Sequence, residues 1–220
     1  MKRSLLVWIS DICTVLFGIG QLYAISQQPA GQSVSWYLSF WLFCVVALAI
    51  SVQEHKLHPS DGARDRRWAY TLWSIVATIN LIVSLAAKWF VASPLWKASD
   101  TLNSSIYGST ALVVVIVAAL LRQPLHNPFV RGWLGFALKD GPQFFLAWLA
   151  TQHPDVLPAL LAIGAGLTTI SVRLKMLGNP IHWKEWNPQQ KGLAIAEYPN
   201  FISWASVGIV WLTYHLRVGF

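Results

Sequence analysis

The chain has 220 residues, 55% of them hydrophobic and only 11% charged, with 13 Trp and a mean hydropathy of +0.48. A soluble domain carries about 25% charged residues, and long apolar runs recur along the whole chain, so the solvent is a lipid bilayer. The net charge of +7 does not point to nucleic acid, because the basic residues fall between apolar runs rather than in a basic stretch interleaved with aromatics.

The predicted spans, in chain order, are 5–26, 35–53, 69–91, 106–122, 130–150, 156–173 and 200–218. Runs such as "ALVVVIVAALL" do not alternate, which excludes a membrane β-barrel, and a helix satisfies its own backbone in lipid. The expectation is therefore an all-α membrane protein of seven transmembrane helices. The opening "MKRSLLVWISDICTVLFGIG" reads as a retained first helix, since Asp11 interrupts its apolar part and no small-residue cleavage pattern follows. Cys13 and Cys44 lie in apolar spans and read as small core residues rather than as a disulfide.

Twelve of the 16 Lys and Arg fall on the side of the N-terminus, among them Lys2, Arg3, Arg64, Arg131 and Arg173, whereas Lys88, Lys97 and Arg217 fall on the other. The positive-inside rule then predicts a multi-pass integral membrane protein with a cytoplasmic N-terminus.

A repeat is legible in the polar anchors. Gln21 of "FGIGQLYAIS" aligns with Gln143 of "KDGPQFFLAW" at an offset of 122, and Asn80 aligns with Asn200 and Ser51 with Ser171 at 120. The first three spans recur as the last three, with the fourth left over. That pattern describes two parallel three-helix repeats joined by a linker helix: a first repeat over 1–92, a linker over 93–128 and a second repeat over 129–220.

Polar groups inside the spans are the candidate site. An ionisable residue at a helix centre costs roughly 2.5–3.5 kcal/mol on insertion scales, so Lys139, Asp140 and Asp11 must be paired, wetted or functional. Lys139 and Asp140 are neighbours, about 100° apart on an α-helix, so each is expected to find another partner; a Lys139–Asp11 pair is one option. Pro142 removes a backbone donor and Gly141 weakens the helix beside it, which makes Gly141, Pro142 and Gln143 a candidate hinge, with Gln21 beside Gly18 and Gly20 as its softer counterpart. Asn80 and Asn200 offer donors and acceptors to a small polar solute, and Trp73 and Trp204 are placed to stack against it. Most other Trp, such as Trp8, Trp68, Trp89, Trp96, Trp183, Trp186 and Trp211, read as an interfacial belt. Of the six histidines (His55, His58, His126, His153, His182 and His215), only "HKLH" has ligand-like spacing and it lacks a third ligand, so no metal is expected. No cofactor motif and no nucleophile–base constellation is present.

These residues resemble the PQ-loop superfamily, which includes the SWEET sugar transporters and cystinosin-like carriers. The resemblance rests on Pro142-Gln143, on Lys139 three positions earlier, on the three-one-three order of spans, and on "YPNFISWASVGIVWLTY", which is similar to the final SWEET helix with Asn200 at its substrate-facing asparagine. It implies a small-molecule transporter working by alternating access. The chain departs from it in three ways. Gly20-Gln21 replaces the first Pro-Gln pair, "LLAIGAGLTTI" and "ISWASVGIVWLTY" carry no acid where cystinosin-like members have proton-linked aspartates, and the charge-derived orientation is opposite to the usual one.

The function expected is a carrier of a sugar or an amino-acid-like solute, a sugar if the cavity is neutral and a zwitterion if Lys139 faces it. The alternatives are a membrane-embedded enzyme acting on a lipid or isoprenoid with Asp11 and Asp140 as acids, and a receptor or complex subunit with structural buried charges. The expected partners are a small polar solute and the bilayer, with a homo-oligomer left open.

Overall fold

The computed structural model describes residues 5–177 and 180–218, the side chains at 180–182 excepted. Lys2 and Arg3 of the charge count and the His182 side chain therefore lie outside the described residues. The elements are α1 (Leu5–Gln27), α2 (Val34–Leu57), α3 (Asp61–Phe90), α4 (Ala98–Leu120), α5 (Pro128–Gly135), a π-helical turn (Phe136–Asp140), α6 (Gly141–Gln152), α7 (Leu160–Leu177) and α8 (Pro188–Val218). Short 3₁₀ turns occupy Pro154–Val156 and Pro180–Glu185, and no strand occurs among the described residues. The backbone stays right-handed helical at Gly135, Asp140 and Gly141, so α5, the π turn and α6 are one rod. The described residues thus form seven rods, and α1, α2, α3, α4 and α7 are each long and apolar enough to cross a membrane.

Three rods begin well before the apolar runs do. Helix α3 begins at Asp61 rather than 69, because the Ser60 hydroxyl caps it by accepting from the Ala63 N–H at 3.1 Å. Helix α4 begins at Ala98 rather than 106, and its polar first turns face inward: Asp100 and Asn103 are both buried. Helix α8 begins at Pro188 rather than 200 and runs through Pro199. In each case an apolar-run criterion stops at polar residues that the fold keeps helical, either past the hydrocarbon or turned into the bundle.

Helix α3 packs against both α1 and α2, and α8 packs against both the α5–α6 rod and α7. The two groups meet where α1 lies along α7 and where α2 meets the π turn and α6, while α4 bridges α2 and the α5–α6 rod. An aromatic cluster fills the junction: the ring of Phe17 lies 5.2 Å from Trp73 and 5.5 Å from Trp204, with Phe40 5.5 Å from Trp73. Large apolar side chains such as Ile12, Ile82, Leu112 and Ile209 point outward, as expected of helices apolar on every side whose surroundings are lipid.

The two ends of the bundle differ. At one end Arg66 of α3, Arg131 of α5 and Glu54 of α2 come together; this is the arginine-rich end. At the other, Asp100 ties the start of α4 to the start of α2. Its Oδ1 accepts from the Ser33 hydroxyl at 2.9 Å, the Ser35 N–H at 2.9 Å and the Ser35 hydroxyl at 2.8 Å, and its Oδ2 accepts from the Lys97 N–H at 2.9 Å. Lys88 is buried at this end too, donating to the carbonyls of Ala30 and Pro94.

Most of the tryptophans read as a belt are exposed, Trp8 and Trp68 at 52% and Trp89 at 73%. Two depart from this: Trp211 is half-buried against the core, and Trp186 is buried against Leu177 and Ala194.

Candidate functional site: a buried ion cluster

Lys139 and Asp140 sit in the π turn, two residues and one residue before Gly141-Pro142. A π turn closes i→i+5 hydrogen bonds and so holds more residues per turn than an α-helix; here the Gly141 N–H reaches the Phe136 carbonyl. Proline cannot donate a backbone hydrogen bond and crowds the preceding turn, and the wider turn directly before it is the local adjustment. The same widening splays consecutive side chains less than an α-turn does. Lys139 and Asp140 therefore do face each other, with Nζ 3.5 Å from Oδ1, contrary to the expectation from α-helical geometry.

The second partner of Lys139 is not Asp11 but Glu197 of α8, at 3.7 Å. The same Glu197 oxygen accepts from Arg173 of α7 at 3.0 Å, and its other oxygen accepts from the Asn200 amide at 3.2 Å. One turn further along α8, the Ser203 hydroxyl donates to Gln143 at 2.8 Å. The Lys139 ammonium also lies 5.2 Å from the centre of the Phe43 ring, within reach of a cation–π contact. Two cations and two anions are thus gathered from three rods, and all but Arg173 are 5% exposed or less.

This cluster borders a small cavity of about 30 Å³, room for no more than a water or two. Its walls divide by origin. The first group of helices supplies Phe17, Phe40, Phe43, Tyr70 and Trp73, whereas the second supplies Lys139, Gln143, Thr169, Arg173 and Asn200. Several buried polar atoms here have no hydrogen-bond partner among the described residues: Lys139 Nζ, both Asp140 oxygens, Asn200 Oδ1, Thr169 Oγ1 and Trp73 Nε1. Such groups are rare in a folded interior.

A second, larger cavity of about 430 Å³ lies between α2, α3, α5 and α8 at the arginine-rich end. Glu197 lines it, and Phe43 and Tyr70 line both cavities. The ion cluster is therefore the floor of a vestibule at one end of the bundle. At the opposite end α1 and α7 close tightly: a Cβ on Gly20 would stand 2.5 Å from the Ala162 nitrogen.

The structure brings Lys139, Asp140, Gln143, Asn200, Trp73 and Trp204 to one place. It does not bring Asn80 there; that side chain is buried on α3 but borders neither cavity. Gln21 lies towards the closed end, accepting from the Tyr37 hydroxyl, which also donates to Gln32. Gly141 admits the Tyr107 ring of α4 against its bare Cα, and Pro142 is buried beside it. Asp11 is buried on α1 and borders neither cavity.

Glu197 and Arg173 escaped the sequence reading. Glu197 precedes the apolar run of the last span, and Arg173 ends the sixth, where a basic residue is ordinary. The available signal was spacing: Glu197 stands three residues before Asn200 and Arg173 four after Thr169, so each shares a helix face with a polar residue inside the span. Comparison with protein-family models, with curated proteins and with solved structures finds no match for the chain.

Proposed function

We propose that the protein is a carrier for a small zwitterion of the amino-acid type, working by alternating access as PQ-loop carriers do. The observation that carries this reading is the charge-balanced cluster of Lys139, Arg173, Asp140 and Glu197 beside an aromatic wall. A solute bearing one carboxylate and one ammonium can exchange with these pairs without leaving a net buried charge. Its carboxylate shares Arg173 and Lys139 with Glu197, and its ammonium pairs with Asp140, so every charge keeps a partner. A sugar would leave the four charges as they are and gain little from them, and burying polar partners unmatched is costly.

The two-repeat reading draws on the order of packing: in each group of three rods, the last in sequence touches both of the others. On this reading the closed Gly20–Ala162 contact and the open vestibule are one of two access states, and the π turn before Pro142 is where the α5–α6 rod bends between them. The arginine-rich end is taken as the cytoplasmic face.

The test is counterflow in proteoliposomes with labelled amino acids, betaine, sugars and nucleosides. Amino-acid or betaine exchange is expected, and Asn200→Ala and Arg173→Gln are each expected to lower it at least tenfold while the protein stays monodisperse. Exchange of sugars alone, or no exchange of any solute by a protein that remains folded, would overturn the proposal.

A further inference from the structure

The mouth of the vestibule carries a charge arrangement that the ion cluster below it does not need. Arg66 holds Glu54 through two contacts, Nη2 to Oε1 at 2.6 Å and Nε to Oε2 at 3.3 Å. Arg131 shares that carboxylate at 3.5 Å, an ion pair without a hydrogen bond. One carboxylate therefore serves two guanidiniums, both of them partly exposed, and most of the Arg131 donors have no acceptor. The other acid lining the vestibule, Glu197, is already held by Lys139 and Arg173. His58, His126 and Tyr70 also line it, so the titratable groups facing the space are these two acids, two arginines, two histidines and one tyrosine.

Two helices begin here as well: Pro128 at the start of α5 and Gln189 at the start of α8 both line the cavity. The N-terminal ends of helices carry partial positive charge, although the Phe129 and Gln190 N–H groups here are already taken by the Asn127 and Asn187 side chains. Below this basic rim the walls are aliphatic, with Val46, Ile50, Leu134 and Leu138 on facing rods. A cavity of about 430 Å³ falls within the range that encloses an organic ligand.

We infer that the vestibule binds an anionic amphiphile, its acid head between Arg66 and Arg131 and its apolar stem along Ile50, Leu134 and Leu138. A guanidinium pair matches a carboxylate or phosphate head bidentately, and the aliphatic wall below rewards a hydrocarbon rather than a second polar group. A membrane acid and a soluble acid with an apolar side chain share this chemistry. The inference does not rest on the carrier reading, because it concerns binding and not flux.

The experiment uses the full chain in nanodiscs of phosphatidylcholine, with cis-parinaric acid as a fluorescent probe and empty nanodiscs to subtract partitioning. Saturable binding at one site per chain is expected, with the methyl ester at least tenfold weaker. Arg66→Gln/Arg131→Gln is expected to weaken the acid at least tenfold. Glu54→Gln frees both guanidiniums and is expected to tighten binding severalfold, a gain that damage to the fold does not produce. Displacement by hexanoate at concentrations near those of oleate would assign the site to soluble acids, and displacement by oleate alone would assign it to membrane acids; either upholds the site. Equal binding of acid and ester, or affinity unmoved by both the arginine and the Glu54 variants, would overturn it.

Discussion

Glu197→Gln is the sharpest test of the buried cluster. Glutamine keeps the size of the side chain and still accepts from Asn200, so packing is nearly conserved and the change is one of charge. Arg173 loses its 3.0 Å partner, a hydrogen bond between charged groups worth about 1.5–3 kcal/mol. Lys139 loses its contact at 3.7 Å but keeps Asp140 at 3.5 Å, so its loss is smaller, about 1 kcal/mol on a scale where breaking a buried pair costs about 3–5 kcal/mol in all. The expected destabilisation is therefore about 2.5–4 kcal/mol. The double variant Glu197→Gln/Arg173→Gln removes one charge of each sign and is expected to be more stable than Glu197→Gln alone, with a coupling of about 2 kcal/mol. The assay is equilibrium unfolding in mixed micelles titrated with dodecyl sulfate, followed by tryptophan fluorescence. A Glu197→Gln protein within about 1 kcal/mol of wild type, or a double variant whose cost is the sum of the single costs, would refute the reasoning.

Three further outcomes can be read in the same unfolding assay. Asp100→Asn keeps one acceptor oxygen for Ser33 and Ser35 but turns an N–H towards the Lys97 N–H, and is expected to cost about 1–3 kcal/mol; Asp100→Ala removes all four bonds and should cost more than the Asn variant. Gly20→Ala gains about 1 kcal/mol in helix propensity, yet its Cβ meets the Ala162 backbone at 2.5 Å, so overpacking wins and a net loss of about 1–2 kcal/mol is expected. Ala92 has φ 51° at the end of α3, where the Ser93 N–H returns to Lys88 and the Ala92 N–H to Trp89. That is the glycine position of a helix C-terminal motif, so Ala92→Gly is expected to stabilise by about 0.5–1 kcal/mol.

Much of the candidate site was legible because lipid makes polar residues conspicuous. Lys139, Asp140, Gln143 and Asn200 stood out against apolar surroundings, and each proves buried. Glu197 and Arg173 did not stand out, because they lie near the edges of apolar runs, where charged residues are ordinary. Only the continuation of α8 back to Pro188 shows that Glu197 is helical and turned inward. Asn80 shows the opposite failure: it stands 120 residues before Asn200 in the chain, yet it borders neither cavity.

The amino-acid sequence by itself determined that the chain is helical and belongs in a membrane, because backbone satisfaction in lipid leaves long apolar runs no other choice. It also marked the Lys139–Pro142 stretch as unusual, since the cost of an intramembrane charge and the chemistry of proline are local properties. Tertiary structure alone decided which charges meet. The π turn, the depth of α8 and the joining of the two helix groups bring Lys139, Asp140, Arg173 and Glu197 within ion-pair distance, although Lys139 and Glu197 stand 58 residues apart in the chain. Periodicity shows which face of a helix a residue occupies but carries no information about the helix opposite it.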